Sequence, residues 1–263
     1  MSGLLPLSGG VNFRDVGGLP AADGRVRHRT IFRSGRMNRL TADDQAVVEE
    51  LGIRLICDFR SQREQAAEPY HWLPSSARVA DWGTSASGDV TQLRDKLSLA
   101  SSAADGREVM LDLYRDLPER HADRYAVSFK AISEGEVPAV LACTAGKDRT
   151  GMAVALLLSL VGVPREAVIE NYALSEKVYD FPTHFHADAE RAERAGRTDN
   201  PIVRLIHEVS PAAVRAILAS PPDYVATGLA ATAEHYGSIE GYARERLGLD
   251  DRDLARLREF IIE

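Results

Sequence analysis

The stretch Cys143-Thr144-Ala145-Gly146-Lys147-Asp148-Arg149-Thr150-Gly151 puts a thiol and a guanidinium six positions apart in one short segment. An apolar run, residues 138–142, leads into Cys143, and a second apolar run, residues 150–161, follows Arg149. This reads as a buried strand, a glycine-containing loop and a helix beginning at about Arg149. Backbone N–H groups of Thr144, Ala145, Gly146, Lys147, Asp148 and Arg149 then face a common concavity at a helix N-terminus, which is an anion site. Gly146 supplies backbone angles that side chains forbid. A cysteine under that positive potential is driven from the few per cent thiolate of a free thiol at neutral pH towards full ionisation. Arg149 offers a planar fork for two oxygens of a phosphoryl group, which a lysine would hold less well. Thr150 is placed to donate a hydrogen bond to the Cys143 sulfur. Nucleophile and anion cradle together suit phosphoryl transfer to sulfur and then to water.

The Cys–Arg spacing alone is weak evidence; the strand before it, the Arg-Thr-Gly ending it and the apolar helix after it make it specific. A nucleotide-binding loop is excluded, because Leu141 stands where its first glycine belongs and Asp148 where a hydroxyl must hold magnesium.

Phosphomonoester hydrolysis also needs a carboxylic acid for the leaving oxygen. Four aspartates compete. Asp58 ends a buried strand and ranks first, and Asp148, inside the loop, ranks second. Asp116, 27 residues before Cys143, and Asp81, beside Trp82, follow. Lys147 reads either as a second positive charge on the rim, suited to a multiply phosphorylated substrate, or as a solvated lysine. Arg14 and Asp15 read as a structural pair bracing the loop. Arg60 either reaches substrate or pairs with Glu64. His184 and His186 have a spacing that suits a metal on a strand, but their surroundings read as helical or irregular, and no metal is expected. Cys57 raises the thought of a protective disulfide with Cys143. Neighbours on a strand face opposite sides, so if Asp58 faces the site, Cys57 does not.

The elements that must position these residues are legible in outline. Residues 10–36 hold two short strands, the second at 26–33. Thr41 and Asp44 begin a helix that ends at Gly52, residues 53–59 form a buried strand, and Ser61 opens a helix ending before Pro69. Residues 81–106 are rich in Ser, Ala, Gly and Asp and read as a lid or excursion. Residues 108–133 read as helix with a break at Pro118, and from about 165 onward the pattern is helical throughout.

A chain of 263 residues with 44% hydrophobic residues can bury one sizeable core, and one domain spanning 1–263 is expected. A net charge of −7 argues against a nucleic-acid partner. The longest apolar run, residues 152–163, is short of the ~20 residues of a membrane span, and the opening residues lack the pattern of a signal peptide, so a cytoplasmic location is expected. Two cysteines make no disulfide framework, and there is no CxxC or HExxH motif.

Cys143-Thr-Ala-Gly-Lys-Asp-Arg-Thr-Gly resembles the signature of the bacterial atypical tyrosine and dual-specificity phosphatases, whose loop commonly reads HCxAGKDRTG. The likeness extends to Asn12-Phe13-Arg14-Asp15-Val16-Gly17-Gly18, Phe32-Arg33-Ser34-Gly35, Asp58-Phe59-Arg60-Ser61, Asn171-Tyr172 and Tyr236-Gly237-Ser238. The resemblance implies an α/β fold, a mostly parallel central sheet flanked by helices, with additional lid and C-terminal helices. It implies cofactor-free hydrolysis of phosphotyrosine, extending to phosphoserine, phosphothreonine and phosphoinositides, through a phosphocysteine on Cys143. Ala142 departs from the pattern by standing where the family has His, so the amides, the helix terminus and Arg149 are left to keep the cysteine ionised, and slow turnover is expected. Two other readings remain at this stage, a phosphate-binding pseudophosphatase and a cysteine-dependent sulfur-transfer or arsenate enzyme.

Overall fold

A computed structural model describes residues 3–82, 99–196 and 201–263. Its strands are β1 (Arg14–Asp15), β2 (Pro20–Ala21), β3 (Gly24–Arg25), β4 (Ile31–Ser34), β5 (Leu55–Asp58), β6 (Arg78–Val79) and β7 (Ala139–Ala142). The helices of the first half are α1 (Ala42–Glu49), α2 (Gln62–Ala67), α3 (Ala103–Arg120), α4 (Ala122–Ser133) and α5 (Asp148–Leu160). Then come α6 (Arg165–Val178), α7 (Phe181–Arg194), α8 (Pro201–Glu208), α9 (Pro211–Leu218), α10 (Pro222–Tyr236), α11 (Ile239–Glu245) and α12 (Asp251–Ile261). The central sheet runs β1-β4-β7-β5-β6; β1 is antiparallel to β4 and the other pairs are parallel. A two-stranded β2–β3 hairpin stands apart from it. The expected mostly parallel sheet flanked by helices is therefore the fold.

Every residue of β4, β5 and β7 is buried, as a parallel sheet covered on both faces requires. Strand alternation sorts their side chains into two cores. Leu55, Cys57, Leu141 and, just past the strand, Cys143 join Tyr114, Phe129, Leu156, Leu229 and Leu257 on one face. Phe32, Ile56, Val140 and Ala142 join Val48 and Leu51 of α1 on the other.

The capping signals of the sequence hold. Thr41 with Asp44 and Ser61 with Glu64 both form reciprocal capping boxes at helix N-termini. Three boundaries differ from expectation. Residues 26–33 are not one strand, because Arg29 takes a left-handed φ of 57° and only Ile31–Ser34 pairs within the sheet, while Val26 bridges to Ile262. The long helix runs through Pro118 and breaks at His121 instead. Pro118 has no N–H for the Tyr114 carbonyl, and α10 approaches that carbonyl so closely that a Cβ on Gly228 would lie 2.8 Å from it. Of the excursion expected at 81–106, residues 83–98 lie outside the described residues, and its end is already the first turn of α3, capped by Ser102.

Candidate active site

The loop leaves β7 at Ala142 and ends where α5 begins at Asp148. Two of its carbonyls are held by donors from elsewhere in the chain. The Thr144 carbonyl accepts from the Arg36 amide at 3.1 Å, and the Gly146 carbonyl accepts from Asn12 Nδ2 and from Arg33 Nη2, each at 2.9 Å. Among the described residues the amides of residues 144–149 have no acceptor, which leaves them available as donors. Gly146 carries the sharpest bend, with φ +66°, and a Cβ there would lie 2.4 Å from the Gly35 nitrogen. Both the angle and the space exclude other residues.

Beneath the loop lies a floor of fully buried polar side chains. Arg33 donates to the carbonyls of Gly146 and Lys147 and to Asn171 Oδ1. Arg14 donates to Asn12 Oδ1, the Asn171 carbonyl and Ser175 Oγ. Among the described residues neither arginine has a carboxylate partner. Burial lowers the Arg33 guanidinium to about 10, although Tyr114, Tyr172, Cys143 and Asp148 work against it, and burial, then the charge of Arg33, hold Arg14 well below its usual value.

The rim is built from charge pairs. Arg149 donates through Nη1 to Glu64 Oε2 (2.7 Å) and the Phe59 carbonyl (3.2 Å), and through Nη2 to Glu64 Oε1 (2.8 Å) and Thr144 Oγ1 (3.2 Å). Thr144 donates its hydroxyl hydrogen to Glu64. Burial alone would raise the Glu64 carboxyl, but Arg149 and Thr144 hold it well below the usual range, and Arg149 is raised in return despite its own burial. Asp148, half-buried in the first turn of α5, has Oδ1 2.8 Å from the Tyr114 hydroxyl, which in turn lies 2.7 Å from the Tyr172 hydroxyl.

Several expected residues take other places. Lys147 is not on the rim: it is buried, and its ammonium donates to the carbonyls of Ile217 and Ala219. Thr150 Oγ1 is buried without a hydrogen-bond partner among the described residues, so the expected bond to the Cys143 sulfur is not made. Asp58 lies on the Ala142 face of the sheet, with both oxygens held by Arg60 at 2.8–3.0 Å. Arg60 therefore pairs with Asp58 and not with Glu64. Cys57 is on the same face as Cys143, opposite to expectation, but burial pushes its thiol up to about 12 and the cysteines are not bonded. Asp116 is an exposed surface partner of Arg120. Arg14 and Asp15 do not pair; Asp15 accepts from the Gly17 and Arg29 amides and contacts His28. His184 and His186 lie on α7, where His184 stacks on Tyr179. Among the described residues no cluster of three His, Cys, Asp or Glu could hold a metal, and no helix is long and apolar enough to cross a membrane.

The chain matches the tyrosine phosphatase family over residues 5–263. It belongs to that family. It is 32% identical over 254 residues to a protein of Cupriavidus necator named "Putative tyrosine-protein phosphatase", covering 94% of this chain and 84% of that one. It is 27% identical to the triple specificity protein phosphatase PtpB of Mycobacterium tuberculosis, covering 97% of this chain and 98% of that protein. A tyrosine-protein phosphatase of Nostoc commune is 33% identical over 144 residues, 54% of this chain and 47% of that protein. This phosphatase is thus a protein-tyrosine-phosphatase-like enzyme, and its substrate carries a phosphate. The sequence alone assigns no role to Asn12, Arg33, Asn171 or Tyr172 and does not place Glu64 at the rim. The available signal for Glu64 was its place three residues after Ser61, which fixes its side chain at a helix start.

Proposed function

We propose that this phosphatase hydrolyses phosphomonoesters in two steps through a phosphocysteine on Cys143, with Asp148 as the general acid. In the first step the Cys143 thiolate attacks phosphorus, the bond from phosphorus to the leaving oxygen breaks, and Asp148 gives that oxygen its proton. In the second, Asp148 takes a proton from water, the water oxygen attacks phosphorus, the S–P bond breaks, and the thiolate returns with inorganic phosphate released. The observation that carries the reading is the run of amides at residues 144–149, which have no acceptor among the described residues, with Arg149 close enough to Cys143 for their charges to interact. Such donors stabilise the charge spread over phosphoryl oxygens in the transition state.

Asp148 is favoured over Asp58 on position. It belongs to the loop, is half-buried at its mouth, and is aimed by Tyr114. Asp58 is enclosed with Arg60 on the other face. The substrate range we propose is phosphotyrosine together with phosphoserine, phosphothreonine or phosphoinositides, in keeping with the relative named for triple specificity.

Hydrolysis of p-nitrophenyl phosphate tests the reading. The wild-type enzyme should turn over equally with and without EDTA, and Cys143→Ser should abolish turnover while still binding phosphate. Phosphate binding without hydrolysis by the wild type would sink the proposal. Phosphotyrosine, phosphoserine and phosphothreonine peptides and phosphoinositide vesicles, assayed side by side, would fix the range.

A further inference from the structure

Side chains from three helices form one hydrogen-bonded chain behind the loop. The Tyr114 hydroxyl, on α3, lies 2.8 Å from Asp148 Oδ1 and 2.7 Å from the hydroxyl of Tyr172 on α6. Both tyrosines are fully buried, and their rings meet edge to face at 5.7 Å. Gly151 permits the approach, since a Cβ there would lie 2.9 Å from the Tyr172 ring. Burial first, and then the charge of Asp148, raises both hydroxyls well above their usual value, so each keeps its proton. A hydroxyl has one hydrogen to give. Among the described residues the Tyr172 hydroxyl has no other partner, so the arrangement that uses every hydrogen runs from Tyr172 to Tyr114 to Asp148 Oδ1. The Lys147 ammonium, which also donates to the carbonyls of Ile217 and Ala219, lies 3.4 Å from the same Oδ1. A donor and a cation beside Oδ1 disfavour a proton on that oxygen. Among the described residues Oδ2 has no hydrogen-bond partner.

We propose that the Tyr172 and Tyr114 hydroxyls, acting in series on Oδ1, hold the catalytic proton of Asp148 on Oδ2 and thereby let the enzyme cleave alkyl as well as aryl phosphomonoesters. This inference rests on the reading of Asp148 as general acid. In the step concerned the bond from phosphorus to the leaving oxygen breaks, its electron pair moves to that oxygen, and the Oδ2 proton joins it. Tyr114 keeps its own hydrogen and is a positioning residue. The alkoxide of serine, threonine or inositol is far more basic than a phenolate, so its departure depends most on a proton delivered in place.

The test is kcat/KM of Tyr114→Phe on p-nitrophenyl phosphate, phenyl phosphate and a phosphoserine peptide. That constant counts only steps up to loss of the leaving group, so hydrolysis of the phosphocysteine does not enter it. The expected losses are under about twofold, about 10-fold and about 50-fold in that order. Competitive inhibition by orthophosphate should stay as in the wild type, because the anion cradle is untouched. In an Asp148→Asn background, which has no proton to place, Tyr114→Phe should cost less than about twofold on every substrate. Tyr172→Phe, which leaves Tyr114 unsupported, should give the same ranking at about threefold on the phosphoserine peptide. Equal losses on the three substrates, or a loss undiminished in the Asp148→Asn background, would overturn the proposal. So would a wild type inactive on the phosphoserine peptide. Should Tyr114→Phe lose its cooperative melting by orphaning the buried Tyr172 hydroxyl, the Tyr114→Phe/Tyr172→Phe double variant removes both hydroxyls and carries the same test. Asp148→Asn separates the failures. A steep leaving-group dependence in Asp148→Asn beside none in Tyr114→Phe overturns this inference alone, whereas none in Asp148→Asn overturns the underlying reading and this inference with it.

Discussion

The floor and the rim of the loop both rest on arginines, yet they use them in opposite ways. Arg14 and Arg33 are fully buried and donate mainly to carbonyls and amides of neutral partners. Arg149 is half-buried and shares its fork with a carboxylate, a hydroxyl and a carbonyl. A buried cation without a carboxylate partner is costly unless its hydrogen bonds are well made, so the floor is a fixed construction that holds the loop's carbonyls down. Contacts at a partly solvated rim are individually weaker and exchange more readily, which suits a surface that must accept and release an anion. On the mechanism we propose, shape is thus set below the loop and chemistry above it.

The sharpest way to break this division is through the rim acid. Asp148→Asn should lower kcat about a thousandfold for phenyl phosphate and far less for p-nitrophenyl phosphate, whose leaving group needs little proton assistance. Asp58→Asn should leave that leaving-group dependence intact while costing about 3 kcal/mol in urea denaturation, because it strips Arg60 of its buried partner. If Asp58→Asn instead abolishes the leaving-group dependence, the acid sits on the other face of the sheet and the roles of the two carboxylates are reversed.

The floor is tested by Arg33→Met. Loss of the donor to the Gly146 and Lys147 carbonyls should lower kcat/KM for every substrate by about 100-fold through a displaced loop. It should do so without changing the pH–rate profile or the leaving-group dependence. A loss that varies with the leaving group would place Arg33 with the chemistry and erase the distinction.

A smaller effect comes from His121, buried between α3 and α4. Burial first, and then the positive charges of Arg149 and Arg124, lower its imidazole to about 3 from a usual value of 6.5. Between those values the unfolded chain binds a proton that the folded chain does not. Stability therefore falls as pH falls from about 6.5 towards 3, by up to ~1.4 kcal/mol per pH unit. Urea denaturation at pH 7 and pH 5 should show a loss about 2 kcal/mol greater in the wild type than in His121→Gln. Equal losses would remove His121 from the electrostatics of the rim.

The smallest expected effect is at Cys57. Cys57→Ala should cost about 1 kcal/mol of core packing and leave kcat/KM and the rate of peroxide inactivation unchanged. Faster irreversible inactivation would restore the disulfide idea, to which a thiol raised to about 12 gives no support.

Much of this protein was legible because its signals are local. The Cys143 loop carries its meaning in consecutive residues, and the Thr41 and Ser61 caps are read across three positions. The misplaced elements failed for equally specific reasons. Pro118 is a helix breaker in isolation, but it is buried near the end of α3, where the core holds the helix through to Arg120. Lys147 is charged and sits in a loop, which suggests solvent, yet the carbonyls of Ile217 and Ala219 draw it inward from about seventy residues away in sequence. The strand argument for Cys57 and Asp58 was right that neighbours face opposite sides, but periodicity does not say which face belongs to the site.

By itself, then, the amino-acid order determined the strand-loop-helix that carries Cys143 and Arg149, which we propose as nucleophile and phosphate-gripping arginine, and the mostly parallel sheet. All of these follow from short-range propensity, spacing and backbone permissiveness. The tertiary structure decided that Tyr114 meets Asp148, which arginines form the floor and that Glu64 meets Arg149. Most of those contacts join residues 34 to 161 positions apart, and only the tertiary packing brings them within hydrogen-bonding distance.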